Sequence, residues 1–237
     1  MALFSSAGGE FLLRWIHLLA GITWSGLLYY FNFVQGPFMA EADASTKSAA
    51  TQKLVPRALW WFRWGAVVTF LSGFLIIGKR FGEAPEGVVV SSSPWGVAIL
   101  TGAAFGTLML LNVWGVIWPK QKIVIASAAT AASGGQANPA AAGAARRAFL
   151  ASRTNVVLSF PMLFFMGAAS HLPPTVRENH TGYWIGILAI LALLELNALK
   201  ATSGPTTKPI EKVSGVITTG LVVTAVVYAL IQLCLAV

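Results

Sequence analysis

Apolar residues in this chain come in long runs, without the strict alternation of a strand or the narrow stripe of a soluble amphipathic helix. Runs over residues 11–36, 58–78, 95–117, 154–172, 182–199 and 213–236 each approach the 20 or so apolar positions that a helix needs to cross a bilayer. Polar residues gather between them, with Glu41, Asp43, Lys47 and Lys53 after the first run and Lys79 and Arg80 after the second. The pattern predicts an all-α, polytopic membrane protein with about six transmembrane helices in one domain. Gly36-Pro37 is expected to end the first helix. Trp60-Trp61-Phe62-Arg63-Trp64 reads as an interfacial aromatic belt at the start of the second. The longest connection, a cytoplasmic loop over 118–153, has an Ala-, Gly- and Ser-rich middle, with 133–137 its most flexible part. Asn138 before Pro139 reads as a helix N-cap, from which AAAGAARRAFLASR leads into the fourth span.

Composition agrees with the pattern and charge gives it a direction. Of 237 residues, 56% are hydrophobic and 10% charged, and the mean hydropathy of +0.72 lies outside the range of soluble domains. The net charge of +8 is carried in short loops between apolar runs, where it orients helices, so no nucleic-acid partner is expected. With the N-terminus outside, the inner loops hold eleven Lys and Arg residues and the outer loops three, Lys79, Arg80 and Arg177. Both termini are therefore expected on the periplasmic side of a bacterial inner membrane. The first ten residues lack a basic n-region, and no small-residue cleavage site follows the first run, which predicts a retained helix and no signal peptide. The single cysteine, Cys234, excludes an intramolecular disulfide, a Cys-x-x-Cys pair and a covalently attached c-type haem.

Ionisable groups inside apolar helices are costly and mark function by default. In the first helix, Arg14, His17, Gly21 and Trp24 fall on one face at 100° per residue. In the fourth, His171 stands just before Pro173-Pro174, with Gly167 one turn deeper on its own face. Because the two helices run in opposite directions, each histidine lies near the outer surface with a glycine one turn below it. A b-type haem bridging His17 and His171 accounts for that symmetry, with Arg14 meeting a propionate and Gly21, Gly167 and Trp24 flanking the macrocycle. The competing reading makes both histidines independent packing residues. His180, in the short outer loop beside Arg177, Glu178 and Asn179, reads as solvated and stands as a rival second ligand. Arg63 and Glu195 both fall near the inner ends of their spans, which permits an ion pair or separate snorkelling to the interface. Asn32, Gln35, Asn112 and Asn155 are expected to join helices by hydrogen bonds, and Gly65, Ser72, Gly73, Gly102 and Gly106 to let helices approach closely.

Four blocks together carry a resemblance: RWxHxxxGIxWxGxxYYF from Arg14, PxxLxWFxWxxxxTxxSGxL from Pro56, NVxxVIWPxQK from Asn112, and SRTNxxLSxPMLFxM from Ser152, followed by Ser170-His171. Over residues 11–172 the set resembles the membrane domain of bacterial membrane-bound urate oxidases, which join a multi-helix membrane part to a C-terminal cytochrome c domain. More distantly, the first helix is similar to those of copper-resistance membrane proteins and of the membrane protoporphyrinogen oxidase family. The resemblance implies roles for His17, Trp24, Asn112, Asn155 and His171, and structural ones for Trp61, Trp64 and Pro119. Thr154 stands where the family pattern often has a histidine and Gly65 where it often has an acid, and no Cys-x-x-Cys-His follows. It also implies an oxidoreductase or its electron-transfer subunit, holding haem b and exchanging electrons with a periplasmic cytochrome c acting in trans. Two other classes stand beside this reading: a non-catalytic membrane subunit of a larger respiratory or oxygenase complex, and a metal or small-molecule transporter. The last lacks paired broken helices and midplane carboxylates.

Overall fold

A computed structural model describes residues 4–176 and 180–235. The described residues form six long helices with no strand: α1 Ser6–Glu41, α2 Ala44–Gly82, α3 Pro94–Ala132, α4 Ala141–His171, α5 Thr181–Lys200 and α6 Val213–Cys234. All six are long and apolar enough to cross a membrane, so the fold is the all-α, multi-pass one that the hydropathy pattern predicts. An even number of crossings puts the start of α1 and the end of α6 on one side, called here the terminal face.

Three of the helices run further than their sequences predict, and proline is the reason. Proline offers no N–H and its ring collides with the carbonyl four residues back, which commonly ends a helix. Here the turns before Pro37, Pro56 and Pro119 widen into π-helical segments at Tyr30–Gln35, Ala50–Leu54 and Val113–Ile117. The wider turn relieves the collision and the helix continues. Gly36-Pro37 thus does not end α1, and only Ala42 and Asp43 separate it from α2. The expected loop over 118–153 is likewise mostly helix, with α3 continuing to Ala132 and α4 beginning at Ala141. The turn between them uses Gly134 at φ 83°, in the left-handed region that glycine favours. Asn138 does not cap α4 directly. Its side chain accepts from the Ala140 amide, and the helix begins after Ala140.

The helices are unequally buried. In the most apolar stretch of α4, 67% of the residues are buried, against 11% in α1. α4 is the central element, packed on α3, α5 and α6. Gly102 of α3 lies where a Cβ would come within 3.1 Å of the Met162 carbonyl, so the α3 and α4 backbones meet directly. Peripheral α1 packs along α2, where a Cβ on Gly65 would stand 3.4 Å from the Ala20 carbonyl and the Trp24 amide. The outward faces of α1 and α5, with Leu18, Ile22, Ile185, Leu188 and Leu193 exposed, are surfaces suited to lipid.

Candidate functional site

The stripe of α1 that carries Arg14, His17, Gly21 and Trp24 lies along α2. A methyl on Gly21 would reach only ordinary contact with Thr69 Cγ2, at 3.8 Å. Trp24 is buried, and its indole nitrogen has no hydrogen-bond partner among the described residues. His17 sits half-buried between them and the terminal face, and its ring is clamped. Nδ1 lies 2.9 Å from the Thr69 carbonyl and 3.2 Å from Ser72 Oγ. A carbonyl oxygen only accepts, so Nδ1 carries the proton and donates it. The Ser72 hydroxyl spends its own hydrogen on the Val68 carbonyl, 2.6 Å away, and turns a lone pair to the imidazole. Nε2 is the ring nitrogen that makes no hydrogen bond among the described residues. A histidine whose distal N–H is fixed by a backbone carbonyl, with the other nitrogen bare, has the arrangement typical of metal-ligating histidines.

Gly73 makes this pose available. A Cβ there would come within 2.9 Å of His17 Cε1 and 3.2 Å of Nδ1. Ser72 and Gly73 were expected only to pack helices and Thr69 was assigned no role, yet the three form the seat of the ring. The signal was present in the sequence: all three belong to the second of the four resemblance blocks, whose TxxSG triplet covers one turn of α2.

Arg14 is exposed and held by Glu10 at 2.7 Å, and Glu10 also meets Lys79 of α2 at 3.0 Å. Arg14 thus pairs within α1, and it is Glu10 that ties α1 to α2. His171 is exposed at the end of α4, and a methyl on Gly167 would meet nothing within 4 Å. Two hydrogen bonds fix the register of α1 on α4, Asn32 to Ser152 at 2.8 Å and Tyr29 with Ser159 at 2.9 Å. The His17 ring is turned to α2, and His171 stands at the terminal-face end of α4. His180 corrects an expectation: it is buried, at the N-cap position of α5, and its Nε2 has no partner among the described residues. Its expected neighbours Arg177, Glu178 and Asn179 lie outside the described residues. No group of three or more His, Cys, Asp or Glu side chains suited to a metal ion occurs among the described residues.

A second polar assembly lies deeper, at the centre of the bundle. The Asn112 amide donates to Asn155 Oδ1 at 3.0 Å and to Glu195 Oε2 at 2.9 Å, and the Asn155 amide donates to the Met109 carbonyl at 2.9 Å. The expected helix-joining role of Asn112 and Asn155 is borne out, and Glu195 of α5 is an added member. Arg63 makes no ion pair with Glu195. Its guanidinium stacks 3.9 Å from the Trp118 ring centroid and 5.7 Å from that of Trp114.

A sequence model of the family described as urate oxidase N-terminal matches residues 88–229, more than half of the chain. The chain belongs to the urate oxidase N-terminal family. The match takes in the Asn112–Asn155–Glu195 assembly, His171 and His180, while His17 and its seat on α2 precede it. Searches of curated proteins and of solved structures found no match. With six membrane-crossing helices, this member of the urate oxidase N-terminal family is a urate-oxidase-like membrane protein.

Proposed function

We propose that the chain is a membrane haem b protein that carries electrons in the oxidation of urate, the substrate in its family's name. The observation that carries this reading is the locked tautomer of His17, with Nδ1–H on the Thr69 carbonyl and Nε2 free to coordinate. Three features support the group: an imidazole with one ring nitrogen free of hydrogen bonds among the described residues, a second histidine at the terminal-face end of α4, and exposed Gly167 one turn before it. In this reading His17 and His171 would hold the haem, and His180 is the rival for the second position. Bound there, haem would supply one-electron chemistry.

Around the group, the chain's own residues hold and orient. Thr69 and Ser72 fix the His17 ring, and Gly73 gives it room. The Glu10–Lys79 pair keeps α1 in register with α2. The excess of Lys and Arg in the loops opposite the termini supports a periplasmic terminal face in an inner membrane, where a cytochrome c is the electron partner. The reduced-minus-oxidised visible spectrum of the detergent-purified chain tests the reading. A b-type signal lost in both His17→Ala and His171→Ala is expected. A signal lost in His17→Ala and His180→Ala but kept in His171→Ala moves the second ligand to His180. A colourless folded protein removes the haem reading altogether.

A further inference from the structure

A cavity of about 580 Å³ opens near the terminal face, where α2 ends, α3 begins and α4 ends. Its volume falls within the range of small-molecule sites. Arg80, Pro85, Pro94, Trp95, Ala169 and Pro173 line it, and the last two flank His171 in sequence. The Arg80 guanidinium stands 5.5 Å from the Trp95 ring centroid.

The local charge balance leaves Arg80 unspent. Glu83 also lines the cavity, but Glu10 and Glu83 both pair with the neighbouring Lys79, at 3.0 and 3.2 Å, and neither pairs with Arg80. Arg80 makes no hydrogen bond or ion pair among the described residues, so its planar set of N–H donors is available. The start of a long helix adds to this. Ser93 caps α3, with Gly96 N donating to its hydroxyl at 3.0 Å, and the positive end of the helix dipole faces the cavity at Pro94 and Trp95.

The wall is preformed. The turn Val90–Ser92 lies directly on Gly96, where a Cβ would fall 1.8 Å from the Val90 carbonyl, and three prolines stiffen the rim. A flat indole face, an uncommitted guanidinium and a helix N-terminus select a ligand that is planar, aromatic and negatively charged. Gly73, the seat of His17, lies seven residues before Arg80 on α2, about 10 Å along the same stripe.

We infer that this cavity binds an anionic oxidised purine, stacked on Trp95 and held through its charge by Arg80. The inference rests on the urate-oxidation reading and deepens it, by giving the substrate a place near the redox group. The test is equilibrium dialysis of radiolabelled urate, a monoanion at neutral pH, against the purified full chain in nanodiscs, with haem absorbance recorded in parallel. Saturable binding is expected, weakened about tenfold or more in both Arg80→Gln and Trp95→Leu and largely kept in Trp95→Phe. Hypoxanthine, which is flat but uncharged, and phosphate, which is charged but not flat, are expected to compete at least tenfold more weakly than urate. Arg80 is exposed, so Arg80→Gln reports on the site even if Trp95→Leu folds poorly. Binding that persists unchanged in Arg80→Gln and Trp95→Phe sinks the cavity while leaving the urate reading intact. No urate binding by a wild type that carries haem overturns both the cavity and the choice of urate. A wild type that binds urate but lacks haem supports the cavity and removes only the haem.

Discussion

The α1–α2 seam and the α3–α4–α5 seam are both held by polar groups inside an apolar bundle, and they use those groups in opposite ways. In the inner seam every hydrogen-bond donor of interest is spent on protein: Asn112 on Asn155 and Glu195, Asn155 on the Met109 carbonyl. Such a closed network joins three helices and leaves little to offer a ligand. In the outer seam His17 is fastened by one nitrogen only, and the other is left with its lone pair. Burial divides the same way, with α4 mostly enclosed and α1 mostly exposed. The rigid half serves as scaffold, and the peripheral half presents chemistry.

The comparison is broken most severely at Gly73. A leucine there forces the imidazole off its seat, because even a Cβ would come within 2.9 Å of Cε1. Gly73→Leu is expected to lose most of the b-type absorbance although His17 is still present, with helicity by circular dichroism unchanged. Retained absorbance would show that the seat on α2 is not the ligating pose.

The inner seam predicts the reverse phenotype. Asn155→Leu removes the second donor to the Met109 carbonyl, which keeps the Val113 N–H, and leaves one Asn112 N–H without its acceptor in the core, which should cost about 2 kcal/mol. Thermal unfolding in detergent is expected to shift down by several degrees, while the haem content per folded chain stays at the wild-type level. Equal loss of haem and stability would mean that the two seams are not separable.

A smaller effect is expected from Ser72→Ala. It removes the longer of the two acceptors on Nδ1 and keeps the Thr69 carbonyl, so the ring should stay in place. Weaker hydrogen bonding at Nδ1 lowers ligand basicity, and a modest rise in midpoint potential is the expected readout in a redox titration. No change in potential would show that Ser72 contributes packing alone.

The smallest effect belongs to the junction of α1 and α2, away from both seams. Asp43 caps α2 by accepting from the Ser45 and Thr46 amides and their hydroxyls, which holds its carboxyl well below the usual range. A depressed carboxylate stabilises the fold fully above its unfolded pKa of about 4, and that contribution is lost as pH falls through the folded value. Melting curves of wild type and Asp43→Ala should differ slightly at pH 7, and the difference should shrink steadily as pH falls below about 4. A difference that persists at low pH would assign the effect to packing and not to the charged cap.

Much of the scaffold was legible because bilayer thickness and hydropathy constrain it directly, so the six runs of sequence became the six long helices. Helix ends were less legible. A proline reads as a stop, yet at Pro37, Pro56 and Pro119 a π turn absorbs the clash, and nothing in the local composition distinguishes the two outcomes. At the site, the face and level of His17 followed from helical periodicity, while its neighbour did not. Periodicity gives a direction within one helix and is silent on which helix stands there. Ser72 and Gly73 therefore read as packing residues, and Thr69 had no assigned role, until α2 was placed against α1. His180 misled for a related reason: a histidine among charged loop residues reads as solvated, and only the packing at the start of α5 buries it.

The most direct test of the central claim is haem stoichiometry per folded chain, by pyridine haemochrome with circular dichroism on the same samples, in wild type and His17→Ala. The account predicts close to one haem b per wild-type chain and almost none in a variant that keeps wild-type helicity and melting behaviour. Equal haem content in both would contradict it, because the locked imidazole on α2 would then have no part in holding the group.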